Sequence, residues 1–330
     1  MRNTQHPAVQ AWNQLCSKHK EPKCIELFEK GSNSVYRLDG VGPSGTAVIA
    51  KRSRAGRALV EQIVYEEILP HLPVAALRFY GYVSEPGTEY GWLFLEDAGG
   101  EEFAYSLEEH RRLAARWLGQ MNVSAACIPA VSRLPDRGPK HYLDHLHWAQ
   151  ELIQRNLGNP ALIGQDSRVL EGILLQCHFL EARWNCIEEL CHRFPLTLVH
   201  GDFMKDNVRV RSSTCGVSFV AFDWGMAGYG IPAIDIAETS GRGVIRARIE
   251  TELIDYWSAV REWWSDLDLT AIKQLADLGA VFRLLAAISS ERELLDIGGG
   301  RWPIKELYRY QVDLALALEH LGFSAIPICG

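Results

Sequence analysis

The sequence predicts a two-lobed α+β fold, with a small antiparallel sheet leading into a larger, mainly helical body. Three observations carry this expectation. Short β-rich runs punctuated by turn residues fill the first 97 positions, and a Gly99-Gly100 pair then marks a natural boundary. From Ser106 onward apolar residues recur at helical spacing. At 330 residues the chain can bury two cores, so the expected division is residues 1–97 and residues 98–330.

The first lobe opens on a β-like run at 23–29, then Lys30-Gly31-Ser32-Asn33-Ser34, then a second run at 35–38. Strand, small flexible turn and strand can lay backbone N–H groups over phosphates, although a single glycine also suits an ordinary hairpin. Residues 46–51 read as a strand ending in Lys51. Residues 57–69 are helical by pattern, with Leu59, Ile63, Ile68 and Leu69 placed on one side. Two more strands, 77–84 and 90–95, join through the turn Glu85-Pro86-Gly87-Thr88.

Beyond the boundary, Ser106-x-x-Glu109 has the form of a capping box, opening a helix that runs to Met121. Residues 144–157 and 167–194 carry helical periodicity, separated by Pro160 and Gly164. A short strand at 196–199 follows. After a loop, Asp235 lies in a helix start. Residues 244–267 read as one long amphipathic helix, with Ile249, Leu253, Trp257, Val260 and Trp264 on one stripe. Helices at 270–295 and 303–321 complete the chain.

Composition is that of a globular protein, 47% hydrophobic and 23% charged. A net charge of −7 without a basic cluster gives no reason to expect a nucleic-acid partner. No stretch reaches the length of apolar residues needed to span a membrane, and the first twenty residues lack the apolar core of a secretion signal. Eight cysteines lie scattered without a C-x-x-C pair, as expected of reduced and mostly buried thiols. The expected setting is cytoplasmic.

The chemistry concentrates between Leu198 and Gly225. Leu198-Val199-His200-Gly201-Asp202 is followed by Asn207, and a second apolar run, Phe219-Val220-Ala221-Phe222, delivers Asp223-Trp224-Gly225. One carboxylate able to accept a hydroxyl proton, with an amide and a carboxylate able to hold Mg²⁺ on nucleotide phosphates, is the inventory phosphoryl transfer needs. The bland reading is that Asp202 and Asn207 cap a turn while Asp223 ends a strand.

This H-x-D-x-x-x-x-N pattern with D-x-G resembles the catalytic and metal loops of the kinase superfamily. The H-G-D and D-W-G forms resemble the aminoglycoside phosphotransferase and choline kinase branch, whose members phosphorylate small molecules. The resemblance spans roughly Gly31 to Glu238 and implies a protein-kinase-like fold binding ATP, with GTP left open as donor, and Mg²⁺. It implies Asp202 as catalytic base and Asn207 and Asp223 as metal ligands. Lys51, ending a strand similar to V-A-I-K, would hold phosphates and be held in turn by a helix glutamate. Glu61 is favoured over Glu66 and Glu67, for which surface roles are expected. Ser32, Asn33 and Ser34 would lie over the phosphates. The segment Leu95, Glu96, Asp97 resembles the interlobe hinge, where the Leu95 carbonyl and the Asp97 N–H would meet the adenine. By the same resemblance Asp235 braces the catalytic loop, and Lys205, Tyr229 and Glu238 are candidate substrate contacts.

Three departures bear on the substrate. Where protein kinases place a lysine two residues after the catalytic Asp, this chain has Met204, with Lys205 one later. The A-P-E signature is absent, which argues against a protein substrate. The chain ends Ile326-Pro327-Ile328-Cys329-Gly330 without the acidic cluster that would suit an aminoglycoside. A small hydroxyl compound is the expected partner: an aminoglycoside-like antibiotic, a sugar or an amino alcohol. A nucleotide-binding pseudokinase is the alternative and a protein kinase a more distant one; oligomeric state stays open. His141, His145 and His147 share a helical stretch, but a metal would need a further ligand.

Overall fold

The computed structural model describes residues 5–16, 21–29, 34–160, 162, 164–214, 216–238, 250–290 and 302–323. Its contacts group the chain into two compact units. The first comprises Met1–Ala104, Cys127–Leu134 and His200–Gly228, and the second Tyr105–Ala126, Pro135–Val199 and Tyr229–Gly330. The loop-bearing stretch 200–228 thus groups with the sheet.

In the first unit, β1 (Ile25–Glu29), β2 (Ser34–Leu38), β3 (Val48–Arg54), β4 (Phe79–Ser84) and β5 (Tyr90–Glu96) form an antiparallel sheet of order β1-β2-β3-β5-β4. Strand alternation gives the sheet two functions. Val48 and Ala50 join a core with Leu38, Val83, Trp92 and Phe94, covered by helix α1 (Pro7–Leu15) through Ala8, Val9, Ala11 and Trp12. Sequence reading had no place for α1. It is a nine-residue helix with Pro7 in its first turn and His6 capping the Ala8 N–H, too short to form alone and dependent on the sheet beneath it.

The alternate positions Ile49 and Lys51 point away from that core. Helix α2 (Ala55–Ile63) begins two residues earlier than the periodicity predicts and continues into a π turn, Val64–Ile68. Its buried residues are Ala58, Glu61, Val64, Tyr65 and Ile68, while Leu59 is exposed. Of the predicted apolar side Ile68 and Leu69 are buried, but Leu59 is exposed and Ile63 half-buried, and the face of α2 that turns inward is the one carrying Glu61. A second sheet in this unit has the order β10-β9-β6, from β6 (Glu101–Glu102), β9 (Val208–Ser213) and β10 (Gly216–Ala221).

The second unit is helical. Helix α3 (Glu108–Ala125) starts after Leu107 with no side-chain cap, so the predicted capping box does not form. Helix α4 (Pro139–Asn156) begins five residues before the expected start, led by Pro139 in its first turn. The predicted helix 167–194 is two, α5 (Gly164–Glu181) and α6 (Trp184–Cys191), broken at Ala182-Arg183. Helices α7 (Ala233–Glu238), α8 (Glu250–Val260), α9 (Leu269–Ser290) and α10 (Trp302–His320) follow. The expected helix 244–267 thus ends at Val260, and Trp263 beyond it is 72% exposed; its start lies outside the described residues, as do the end of the predicted helix 270–295 and the C-terminal Ile326–Gly330.

Helix α9 is the apolar centre of this unit. Tyr142 of α4 stacks on its Phe282 at 3.9 Å, and a Cβ on Gly279 would meet the Ala233 carbonyl of α7. A polar network holds strand β8 (Thr197–Val199). Asn122 Nδ2 donates to the Leu198 carbonyl at 3.0 Å, Tyr256 donates to Asn122 Oδ1 at 2.9 Å, and Thr197 Oγ1 donates to the Asn122 carbonyl at 2.6 Å. Asp235 is fully buried in the same unit. Burial lifts the phenols of Tyr142 and Tyr256, and the Asp235 charge adds to both. Among the described residues no helix is long and apolar enough to cross a membrane. Of the described cysteines only Cys177 and Cys191 are buried, so the expectation of mostly buried thiols is corrected.

Candidate active site

Register brings the first three groups together. Lys51 pairs opposite Val35 on β2 and Leu93 on β5, in the middle of the sheet, and the residue is 5% exposed. Its Nζ lies 2.6 Å from Glu61 Oε1 and 2.6 Å from Asp223 Oδ1. Of the three glutamates weighed from sequence, Glu61 is the partner. Glu66 is exposed and bonded to Gln62, and Glu67 is exposed and paired with Arg133.

Burial works against charge here, so the sign of each shift reports which contribution wins. Burial pulls the Lys51 ammonium down, but Glu61 and Asp223 outweigh it and hold the pKa above its ordinary value. Burial raises Asp223, but Lys51 outweighs it and keeps the carboxyl below the usual range. For fully buried Glu61 burial wins over Lys51, and the carboxyl is pushed up to about 7.

The loop after β8 is organised by His200, which is fully buried. Its Nε2 lies 3.0 Å from the Phe222 carbonyl and its Nδ1 accepts from the Asp202 N–H at 3.3 Å. A carbonyl only accepts and an amide N–H only donates, so these partners select the neutral Nε2–H tautomer. Burial depresses the imidazole to about 4. Gly201 has φ +79°, and a Cβ there would lie 2.3 Å from the Met226 carbonyl; only glycine meets both conditions.

Asn207 Nδ2 donates to the Asp202 carbonyl at 2.9 Å and to Asp202 Oδ2 at 2.8 Å. The Phe222 N–H donates to the Asn207 carbonyl at 2.9 Å, which sets the Asp223 segment beside Asn207. Asp223 itself has φ +62°, a left-handed conformation uncommon outside glycine. Backbone strain of this kind concentrates at functional positions. Gly225 has ordinary backbone angles but lies so close to α2 that a Cβ would be 3.3 Å from Glu61 Oε1.

Ser32 and Asn33 lie outside the described residues, and Ser34 is half-buried at the start of β2. Leu95 is buried opposite Ile49. Glu96 accepts from the Arg78 N–H and pairs with Arg211, and Asp97 pairs with Arg37 at 2.7 Å. Arg211 also donates to the carbonyls of Ala98 and Asp97, at 2.5 and 3.3 Å. Neither arginine was singled out from sequence; strand arginines at alternate positions carry no local signal. Lys205 is exposed at the start of a short turn. In the second unit, Tyr229 of β11 (Gly228–Gly230) is half-buried and pairs with Asp136 of β7 (Asp136–Arg137). Glu238 ends α7, and its side chain lies outside what is described.

Among the described residues no group of three His, Cys, Asp or Glu could hold a metal. His145 bonds Ser289 and His147 faces Glu181, as a packed helix face would.

The sequence matches a family model described as the phosphotransferase enzyme family over residues 25–269. No curated protein sequence matches. Solved structures share the fold. An ethanolamine kinase from Plasmodium vivax superposes with a TM-score of 0.61 at 13% identity, over 93% of this chain and 84% of that one. A wild-type aminoglycoside 2'-phosphotransferase-IIIa, solved as its GDP complex, gives 0.64 at 14% identity, over 93% and 97%. A microcompartment-associated aminopropanol kinase gives 0.63 at 16% identity, over 96% and 97%. These likenesses establish the two-part, protein-kinase-like α+β fold.

Proposed function

From the premise that this chain belongs to the phosphotransferase enzyme family, we propose that it is an ATP- and Mg²⁺-dependent kinase that phosphorylates a hydroxyl group of a small molecule, with Asp202 as catalytic base. The observation that carries the reading is the convergence, within one compact unit, of a lysine shared by two carboxylates and an Asp–Asn pair on the adjoining loop. A turn cap would need neither the buried ammonium nor the left-handed Asp223.

In this reading Asp202 orients the acceptor hydroxyl and takes its proton as the oxygen–γ-phosphorus bond forms. The bond from γ-phosphorus to the bridging oxygen breaks, and its electron pair leaves with the nucleoside diphosphate. The Asn207 amide spends its N–H₂ on Asp202, which leaves its carbonyl oxygen as the donor; with the Asp223 carboxylate this is the hard-oxygen pair that suits Mg²⁺. Such an ion, when bound, neutralises charge between the phosphates. Lys51, oriented by Glu61, would ligate phosphate oxygens. Residues 32–34 would cover them, and Leu95, Glu96 and Asp97 would border the base. The nucleotide-binding lobe is then residues 1–97 and the substrate lobe residues 98–330, with Tyr229, Glu238 and Lys205 as acceptor contacts and Asp235 as support. A cytoplasmic setting belongs to the same proposal.

Amino alcohols, sugars and aminoglycoside-like compounds are the acceptors to test, since ethanolamine, aminopropanol and aminoglycoside kinases share the fold. ADP or GDP release across such a panel, with ATP and GTP as competing donors, identifies both substrates. Asp202→Asn is expected to lower kcat by roughly a thousandfold, within the range of a lost general base, with the melting temperature unchanged. A variant that retains most of its turnover removes Asp202 from the mechanism.

A further inference from the structure

The first unit holds one more cation beside the metal loop, and the sequence motifs leave it without a role. Arg57 stands in the first turn of α2, four residues before Glu61, so the two share a helix face. One point fixes its position. A Cβ built on Gly225 would lie 3.5 Å from Arg57 Cβ, 3.3 Å from Glu61 Oε1 and 3.6 Å from Asp223 Oδ1. The base of the Arg57 side chain is thus within the span of an extended arginine from the Asp223 carboxylate.

Its neighbours are engaged and it is not. Lys51 is held by two carboxylates, Arg52 pairs with Glu85, and Arg54 interacts with Tyr90. Arg57 is exposed and makes no hydrogen bond or ion pair among the described residues. The surrounding charge makes this consequential. Glu61 and Asp223 share a single lysine, so beyond a metal ion a bound triphosphate gains from further positive charge as its terminal group is transferred. Met204 occupies the place where protein kinases carry a lysine for that purpose.

We propose that Arg57 binds the γ-phosphoryl group of the nucleotide and stabilises its charge during transfer. The inference rests on the kinase reading above and adds a residue to it. A guanidinium offers a planar fork of donors to phosphoryl oxygens, which Lys205, another exposed cation of this unit beside the catalytic loop, lacks.

The test compares wild type, Arg57→Gln, Arg57→Lys and Lys205→Ala, measuring kcat/KM for the nucleotide and equilibrium Kd for Mg·ATP and Mg·ADP. Arg57→Gln should lower kcat/KM roughly ten- to a hundredfold, the effect of losing a charge-assisted hydrogen bond. It should weaken ATP but leave ADP within about twofold, Arg57→Lys should recover part of the loss, and Lys205→Ala should fall short of Arg57→Gln. Turnover within about twofold of wild type in Arg57→Gln overturns the inference. Equal weakening of ATP and ADP overturns the γ-phosphoryl assignment, and a larger effect at Lys205 transfers the role to that lysine. If the wild type binds nucleotide without turnover, the kinase reading fails by itself, and the ATP-to-ADP ratio of Arg57→Gln still decides the inference. If the wild type binds neither nucleotide, both fail.

Discussion

Acidification should loosen the loop that carries Asp202, and His200 sets the size of the effect. The imidazole is fully buried, donates to the Phe222 carbonyl and accepts from the Asp202 N–H. A second ring proton, on Nδ1, would have to face that N–H. Burial therefore depresses the folded-state pKa from 6.5 to about 4. Because the unfolded chain binds the proton more readily, stability is complete above pH 6.5 and is lost as pH falls towards 4. At 1.36 kcal/mol per pKa unit, this histidine removes about 2 kcal/mol between pH 7 and pH 5, and about 3 kcal/mol by pH 4. His6, His141 and His145 are also lowered by burial and act in the same direction. The wild-type slope alone is thus ambiguous, and a difference is needed. His200→Gln keeps an amide donor for the Phe222 carbonyl and cannot titrate. Urea midpoints of both proteins at pH 7 and pH 5, with slopes constrained by the common m-value, give the comparison. The variant should lose about 2 kcal/mol less than the wild type over that interval, whatever offset it carries at pH 7. Equal losses in the two proteins would refute the buried, neutral His200 and with it this account of how the loop is held.

Two further substitutions test the supports of the site. Asn122→Ala strands the Leu198 carbonyl and the Tyr256 hydroxyl in the core of the second unit, at about 1–3 kcal/mol for each unsatisfied group; chemical denaturation should show a total of about 3 kcal/mol, and less than about 1 kcal/mol would mean the network relaxes around the gap. Gly201→Ala must accommodate a φ of +79° and a Cβ 2.3 Å from the Met226 carbonyl. It should cost about 2 kcal/mol or more, with a matching fall in thermal midpoint, whereas Gly216→Ala, with φ +123° and nothing within 4 Å, carries the backbone strain without the clash and should cost less.

What could be read along the chain was whatever short-range chemistry announces. The strands of the first sheet declare themselves by β-rich runs between turn residues, and the H-G-D, Asn207 and D-W-G spacing names its chemistry because one loop and one hairpin carry it. The failures share a cause. The π turn after Ile63 shifts the helix phase, so a 3.6-residue count placed exposed Leu59 inside. The break at Ala182-Arg183 and the end of α8 at Val260 carry neither proline nor glycine, so periodicity ran through both.

Local residue chemistry was thus enough to name the family and the α+β order of the chain, and to propose donors for metal and phosphate, since each depends on neighbours a few positions apart. The choice of Glu61 over Glu66 and Glu67, the His200 tautomer, the clamp of Asn122 on β8, the hold of Arg211 on the Asp97-Ala98 carbonyls and the place of Arg57 beside Gly225 came from packing. These join residues from 10 to more than 160 positions apart. Whether a charge is buried, paired or free follows from which distant groups the fold sets against it, and no spacing along the chain encodes that.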